Sequence, residues 1–208
     1  MPVDYQRAME ARIAALGGEI PALALHSCCA VCSSSVLETL SRHFRVTVFY
    51  CNPNIFPREE YEKRKAEQIR LIRSVVYPNP VDFTEDPYEH ALFLEASRGL
   101  EGEPEGGARC ARCFALRLGR TAAFAAARGI GLVASTLTVS PHKNAALVNA
   151  AGEAAAREHG LEWLPADFKK KNGYLRSTRI ARELGLYRQR TCGCEFESDR
   201  KQQRFPSD

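Results

Sequence analysis

Pro21-Ala22-Leu23-Ala24-Leu25-His26-Ser27-Cys28-Cys29-Ala30-Val31-Cys32 is the stretch that decides the fold. It opens as an apolar run of strand length, then packs three cysteines into five positions, and a helical pattern follows from about Ser33. Strand, cysteine cluster and helix start, in that order, place thiols where helix N–H groups and the helix dipole favour anions. The thiolate is the anion that binds a metal or attacks a substrate. One cysteine here would read as a small core residue. Three so close, with five more elsewhere, read as metal-ligating or redox groups.

Strand and helix patterns alternate outward from that point. Upstream, Asp4 caps a helix through Leu16, which Gly17-Gly18 stops. Downstream, a helix with Val36, Leu37 and Leu40 on one face ends near His43. Residues 46–50 form a β-branched and aromatic strand that ends in the turn Cys51-Asn52-Pro53-Asn54. The charged segment 58–75 is helical and 81–83 is a short strand. Asp86-Pro87 opens a helix to about Arg98 with proline in its first position. After the Gly/Glu-rich loop 99–109, Cys110-Ala111-Arg112-Cys113 opens an alanine-rich helix ending near Gly129. Residues 132–136 and 161–164 are further strands, with a helix to about His159 between them, and a last helix ends near Leu184-Gly185.

This alternation predicts one α/β domain over 1–208, a parallel sheet with helices on both faces. The sheet core is expected at about 20–165, and a basic part from about 166 carries Cys192-Gly193-Cys194. Ligands in such folds gather at the carboxyl ends of strands. Cys28 and Cys29, Asn52, the segment 136–144 and Lys169 to Lys171 all fall there, so one shared site is expected.

Bulk properties narrow the function classes. The chain is 45% hydrophobic, yet no apolar run approaches the length of a membrane span. The first fifteen residues alternate charged and apolar side chains and lack the apolar core of a signal peptide. A cytoplasmic protein with no membrane partner is expected. Eight cysteines in a reducing compartment argue against a disulfide framework and for metal or redox work. The net charge of +4 is uneven, because from Lys169 onward eleven Lys/Arg face five Asp/Glu. A basic end suits a polyanion such as RNA, and equally a solvated surface. No G-x-x-x-x-G-K-[ST] is present, nor G-x-G-x-x-G after a strand, which disfavours a nucleotide-binding enzyme.

Cys28-Cys29 and Cys110-x-x-Cys113 are two thiol pairs, each opening a helix. Four thiolates suit zinc or an iron–sulfur cluster. Adjacent cysteines are awkward for one tetrahedral metal, whereas a cluster offers each thiolate its own iron, so the spacing favours the cluster. Cys32 is left over, to hold a second metal, act on substrate or pack. Cysteines two apart, as in Cys192-Gly193-Cys194, can close a strained and easily reduced ring, which suits a redox couple. Two free thiols or another metal-ligand pair remain open readings there. Cys51 and His26 read as packing and core residues, and His142 near a helix start reads as an anion or substrate contact. Lys169, Lys170 and Lys171 beside Tyr174 form either a solvated run or a phosphate grip with an aromatic ring for stacking.

Taken together, six segments resemble the QueH family of epoxyqueuosine reductases, in the family's order and over about residues 22–196. They are His26-Ser27-Cys28-Cys29-Ala30-Val31-Cys32, Asn52-Pro53-Asn54-Ile55, Gly107-Ala108-Arg109-Cys110-Ala111-Arg112-Cys113-Phe114, Ser140-Pro141-His142-Lys143-Asn144, Asp167-Phe168-Lys169-Lys170-Lys171-Asn172-Gly173-Tyr174, and Gly185-Leu186-Tyr187-Arg188-Gln189 with Cys192-Gly193-Cys194. Val31 stands where the family usually has proline, and Cys51 is outside the family pattern.

The resemblance implies a Rossmann-like fold of the HUP type whose phosphate loop is replaced by a cysteine motif. It implies cobalamin-independent reduction of epoxyqueuosine to queuosine at the wobble position of tRNA, with an unidentified electron donor. It implies a [4Fe-4S] cluster on Cys28, Cys29, Cys110 and Cys113, and a redox-active pair at Cys192 and Cys194. It also implies a mononuclear iron beside the cluster, for which Cys32 and Asp86 are candidate ligands. His142, Lys143, Lys169, Lys170, Lys171 and Tyr174 are the candidate substrate and RNA contacts. The rival readings are a zinc-containing RNA-binding protein, a thiol–disulfide oxidoreductase, and a tRNA-thiolating enzyme, which would need ATP.

Overall fold

The computed structural model describes residues 3–189 and 191–196. In chain order the elements are α1 (Tyr5–Ala14), β1 (Ala22–His26), α2 (Ala30–Leu40), β2 (Arg45–Tyr50), α3 (Arg58–Ser74), β3 (Val81–Glu85), α4 (His90–Ser97), α5 (Ala108–Ala127), β4 (Leu132–Ser135), a 3-10 turn (Thr136–Val139), α6 (Ala145–Glu158), β5 (Glu162–Trp163) and α7 (Gly173–Glu183). The five strands form one sheet in the order β3-β2-β1-β4-β5, and every pairing is parallel. The expected architecture is therefore present.

β1 is the central strand, with Leu25 in register with Val48 of β2 and Ala134 of β4. Leu23, Ala24, Leu25 and His26 are fully buried, so the strand reads as an unbroken apolar run rather than an alternating one. On one face Leu23 and Leu25 meet Met9, Val36, Leu37, Leu40 and Leu71, from α1, α2 and α3. On the other, α5 and α6 pack together, with Phe114, Leu118 and Val148 in one cluster. Truncating Leu25 to alanine would cost about 2–5 kcal/mol through lost burial and the cavity left behind.

Two glycines mark close approaches that no side chain could share. A Cβ on Gly152 of α6 would lie 2.4 Å from the Trp163 ring, and one on Gly173 would lie 1.8 Å from the Phe168 carbonyl oxygen. Asn149 completes the first contact, because its Oδ1 accepts from Trp163 Nε1 at 2.9 Å and from the Ala166 N–H at 3.0 Å.

Element boundaries differ from expectation where side chains outvote local signals. α2 begins at Ala30, not near Ser33, because Cys29 is its N-cap and the Cys29 sulfur accepts the Cys32 N–H at 3.5 Å. α4 begins at His90 rather than Pro87. The Asp86 carboxylate caps nothing there; it turns to Arg120 of α5, with an Nη2–Oδ1 contact of 2.9 Å. β3 runs two residues further than expected, and β5 shrinks to two residues.

Candidate functional site

The carboxyl ends of β1 and β4 deliver the central residues. The Sγ atoms of Cys28, Cys29 and Cys32 all lie within 4.8 Å of one another at the N-terminal end of α2. Cys28 and Cys29 sulfurs are 3.9 Å apart. The Cys28 N–H donates to Thr136 Oγ1 at 3.4 Å, which ties the cysteine turn to the end of β4. Gln189 approaches from the C-terminal segment and donates from Nε2 to Cys29 Sγ at 2.7 Å.

Charge in this triad is shared. Hydrogen bonds from the Cys29 and Cys32 thiols hold the Cys28 thiol well below its usual range. The Cys28 contact, with burial, pushes Cys29 up to about 12, and the contacts to Cys28 and Cys29, with burial, push Cys32 higher than usual. The group thus accommodates one negative charge by itself, and further deprotonation calls for a bound cation. Three convergent sulfurs at a helix N-terminus are a donor set that fits a thiophilic metal or an iron–sulfur centre.

A buried polar scaffold holds the turn in place. His26 Nδ1 lies 2.9 Å from Ser135 Oγ and its Nε2 lies 3.1 Å from the Cys51 carbonyl oxygen. Burial lowers its pKa to about 3, so the imidazole is neutral and structural, as its sequence position suggested. Gln68 Oε1 accepts from Ser27 at 2.7 Å and from Ser33 at 2.8 Å. Asn52 Nδ2 donates to the Ser27 carbonyl at 2.8 Å, and Asn52 Oδ1 accepts from Arg117 of α5.

The other cysteines surround this centre without joining the close triad. Cys110 is in the first turn of α5 and accepts the Gly106 N–H at 3.2 Å. Cys28 and Cys110 both border the apolar cluster of Phe114 and Leu118. Cys113 and Cys194 pack with Phe93, and Cys192 lies against them. Burial pushes the Cys113 thiol up. A hydrogen bond to Cys192, with burial, pushes Cys194 up. Arg64 of α3 docks this segment, donating to the Cys192 carbonyl at 2.9 Å and the Thr191 carbonyl at 3.4 Å. No disulfide joins any of the eight cysteines in this structure.

A cavity of about 540 Å³ opens over the triad, lined by Cys28, Cys32, Arg117, His142, Lys143 and Cys192, with Tyr174 and Arg188 at its side. Lys169, Lys170 and Lys171 instead border an adjoining groove that shares His142 and Lys143 with the cavity. Two of these lysines have carboxylate partners: Lys169 meets Asp167 at 2.6 Å, and Lys171 meets Glu10. Arg117, Arg64 and the sulfur contact of Gln189 were not legible as site features. The available signal for Arg117 was its place one helical turn after Cys113, on the same face of α5. Among the described residues, no helix is long and apolar enough to cross a membrane.

Fold and site together define an α/β protein whose chemistry is carried by clustered thiols, of the metal-binding or redox kind. Comparison with known proteins names the family. The family model for epoxyqueuosine reductase QueH matches residues 23–200. An epoxyqueuosine reductase QueH of Streptococcus pyogenes is 39% identical over 198 residues, covering 93% of this chain and 78% of that protein. Those of Staphylococcus epidermidis and Staphylococcus aureus are 38% and 37% identical, covering 86% and 85% of this chain and 77% and 75% of theirs. The chain belongs to the epoxyqueuosine reductase QueH family.

Proposed function

We propose that this protein reduces epoxyqueuosine to queuosine at the wobble position of tRNA. The epoxide oxygen leaves as water, both of its C–O bonds break, an alkene forms, and two electrons and two protons are consumed. The observation that carries this reading is the Cys28, Cys29 and Cys32 triad, two of whose members, Cys28 and Cys32, line the cavity, in a chain that belongs to the family.

The residues have separable tasks. Cys28, Cys29, Cys110 and Cys113 are proposed to hold a [4Fe-4S] cluster, which supplies electrons one at a time when bound. Cys32, inside the triad, is proposed as a ligand for a mononuclear iron; Asp86, engaged by Arg120, is left out of that set. Oxidation of the Cys192 and Cys194 dithiol to a disulfide releases two electrons and two protons, the stoichiometry the reduction needs. An external donor then regenerates the dithiol. The cavity has the volume of a small-ligand site and receives a base splayed out of the anticodon loop, with Tyr174, His142 and Lys143 around it. The adjoining basic groove takes the phosphates.

The test is anaerobic reconstitution with iron and sulfide, followed by assay on tRNA carrying epoxyqueuosine. Brown protein with acid-labile sulfide, and queuosine in the product, are the expected results. Colourless, zinc-loaded protein that binds tRNA without converting it would overturn the reading.

A further inference from the structure

Arg117 is 3% exposed, and none of its hydrogen-bond partners is a carboxylate. Its guanidinium donates to Asn52 Oδ1, to the Cys51 carbonyl at 3.4 Å and to Cys113 Sγ at 3.8 Å. Among the described residues, the two other buried arginines are provided for differently. Arg64 has the Glu60 carboxylate at 2.7 Å. Arg109 donates to three backbone carbonyls, of Leu100, Glu101 and Glu103. A buried charge without a counter-ion is strongly unfavourable, so a fold that keeps one supplies its opposite elsewhere. What Arg117 has instead are sulfurs: it donates to Cys113 Sγ and lines the same cavity as Cys28 and Cys32.

We propose that Arg117 is a positioning residue that serves as the fixed counter-charge of the sulfur centre. The inference rests on the reading above, in which these thiols are deprotonated and hold an iron–sulfur centre. With neutral thiols the guanidinium is an orphan in the interior. With thiolates around a metal centre of net negative charge it is paired, and the interior is neutralised.

The same side chain links the two proposed ligand sets. Arg117 sits one helical turn after Cys113 and bonds Asn52, and Asn52 bonds the carbonyl of Ser27, the residue before Cys28. This path crosses from α5 to the turn after β1 in two hydrogen bonds. Arg117 therefore contributes in two ways, a charge and a tie, and the two can be told apart.

The experiment compares wild type with Arg117→Gln, which keeps a donor toward Asn52 and loses the charge, and Arg117→Lys, which keeps the charge. Thermal unfolding is measured anaerobically for each, before and after reconstitution with iron and sulfide, together with the reduction midpoint of the reconstituted form. Wild type and Arg117→Lys are expected to gain Tm on loading, and Arg117→Gln to lose most of that gain. The midpoint should move to more negative potential in Arg117→Gln, because a nearby positive charge favours the reduced, more anionic centre. An equal drop in Tm for apo and loaded Arg117→Gln, with an unshifted midpoint, would show a structural tie alone and overturn the proposal. Apo Arg117→Gln that cannot fold overturns it as well, since the apoprotein gains nothing from an unpaired charge. Wild type that takes up no iron or sulfide defeats the functional reading itself, which is a distinct result.

Discussion

Gln189 and Cys29 lie 160 residues apart in sequence, yet the Gln189 amide nitrogen is 2.7 Å from the Cys29 sulfur. The amide oxygen of the same side chain is buried and has no hydrogen-bond partner among the described residues. Gln189 thus directs its donor at the sulfur, which suits a sulfur that becomes a thiolate when a metal binds. Outer partners of this kind orient a ligand and tune its basicity. Replacing Gln189 with Leu should lower iron occupancy or turnover by about 10–100-fold, the usual cost of losing such a contact. Iron and sulfide per chain, measured after anaerobic reconstitution, checks it; unchanged occupancy together with unchanged turnover would remove Gln189 from the site.

The cysteines should separate by role. Cys29→Ala removes both a proposed ligand and the α2 cap, so it should lose the chromophore and all turnover. Cys192→Ser should keep the chromophore and fold, because Cys192 is half-buried at the cavity wall, and lose multiple-turnover reduction. Visible absorbance and a turnover count on epoxyqueuosine-tRNA distinguish the two. A Cys192→Ser enzyme that turns over normally refutes the dithiol role.

Binding to tRNA should depend more on Lys143 than on Lys169 or Lys171. The last two have carboxylate partners on the chain, whereas Lys143 borders both the cavity and the groove. Lys143→Ala should weaken binding and reduce the slope of log K against log salt by about 1, the value for one phosphate contact. Lys171→Ala should change that slope less, since Lys171 is already engaged by Glu10 and makes no phosphate contact of its own. Titrations across a salt series decide the order.

Acid should loosen the segment that brings Gln189 and Cys192 to the site. Arg70, together with the Tyr187 N–H at 2.7 Å, holds the Glu67 carboxyl below its usual range. Arg70 also donates to the carbonyls of Leu184 and Gly185 at 2.9 and 2.8 Å. A carboxyl whose folded pKa is depressed adds stability above its unfolded value, and that stability is lost as pH falls through the folded value. Docking of 184–189 should therefore be complete near neutrality and weaken as pH drops below about 4.5, the ordinary glutamate value. Glu67→Gln should show the weakened state already at neutral pH. Hydrogen exchange of the Tyr187 amide reports it, and equal protection in both proteins would argue against the clamp.

The amino-acid sequence by itself determined the layout. A short apolar run without alternation, bounded by turn signals, reads as a strand covered on both faces, and the 3.6-residue periodicity after each such run reads as a crossover helix, so the parallel sheet and the position of Cys28 at the carboxyl end of β1 were legible. The three-thiol cluster was legible too, because its residues are adjacent in the chain. Tertiary structure decided which groups meet. Cys32 joins Cys28 and Cys29 because the Cys29 sulfur caps α2 and starts it three residues early, and no propensity encodes a sulfur cap. Asp86-Pro87 reads locally as a helix opener, yet the helix starts at His90 and Asp86 pairs with Arg120, 34 residues on. Arg117, Gln189 and Arg64 reach the site across gaps of 65, 160 and 128 residues. Local sequence records periodicity and caps, which act within a turn or two. A counter-charge or a donor to a sulfur is chosen by whichever side chain the packed sheet brings within 3 to 4 Å, and that distance exists only after folding.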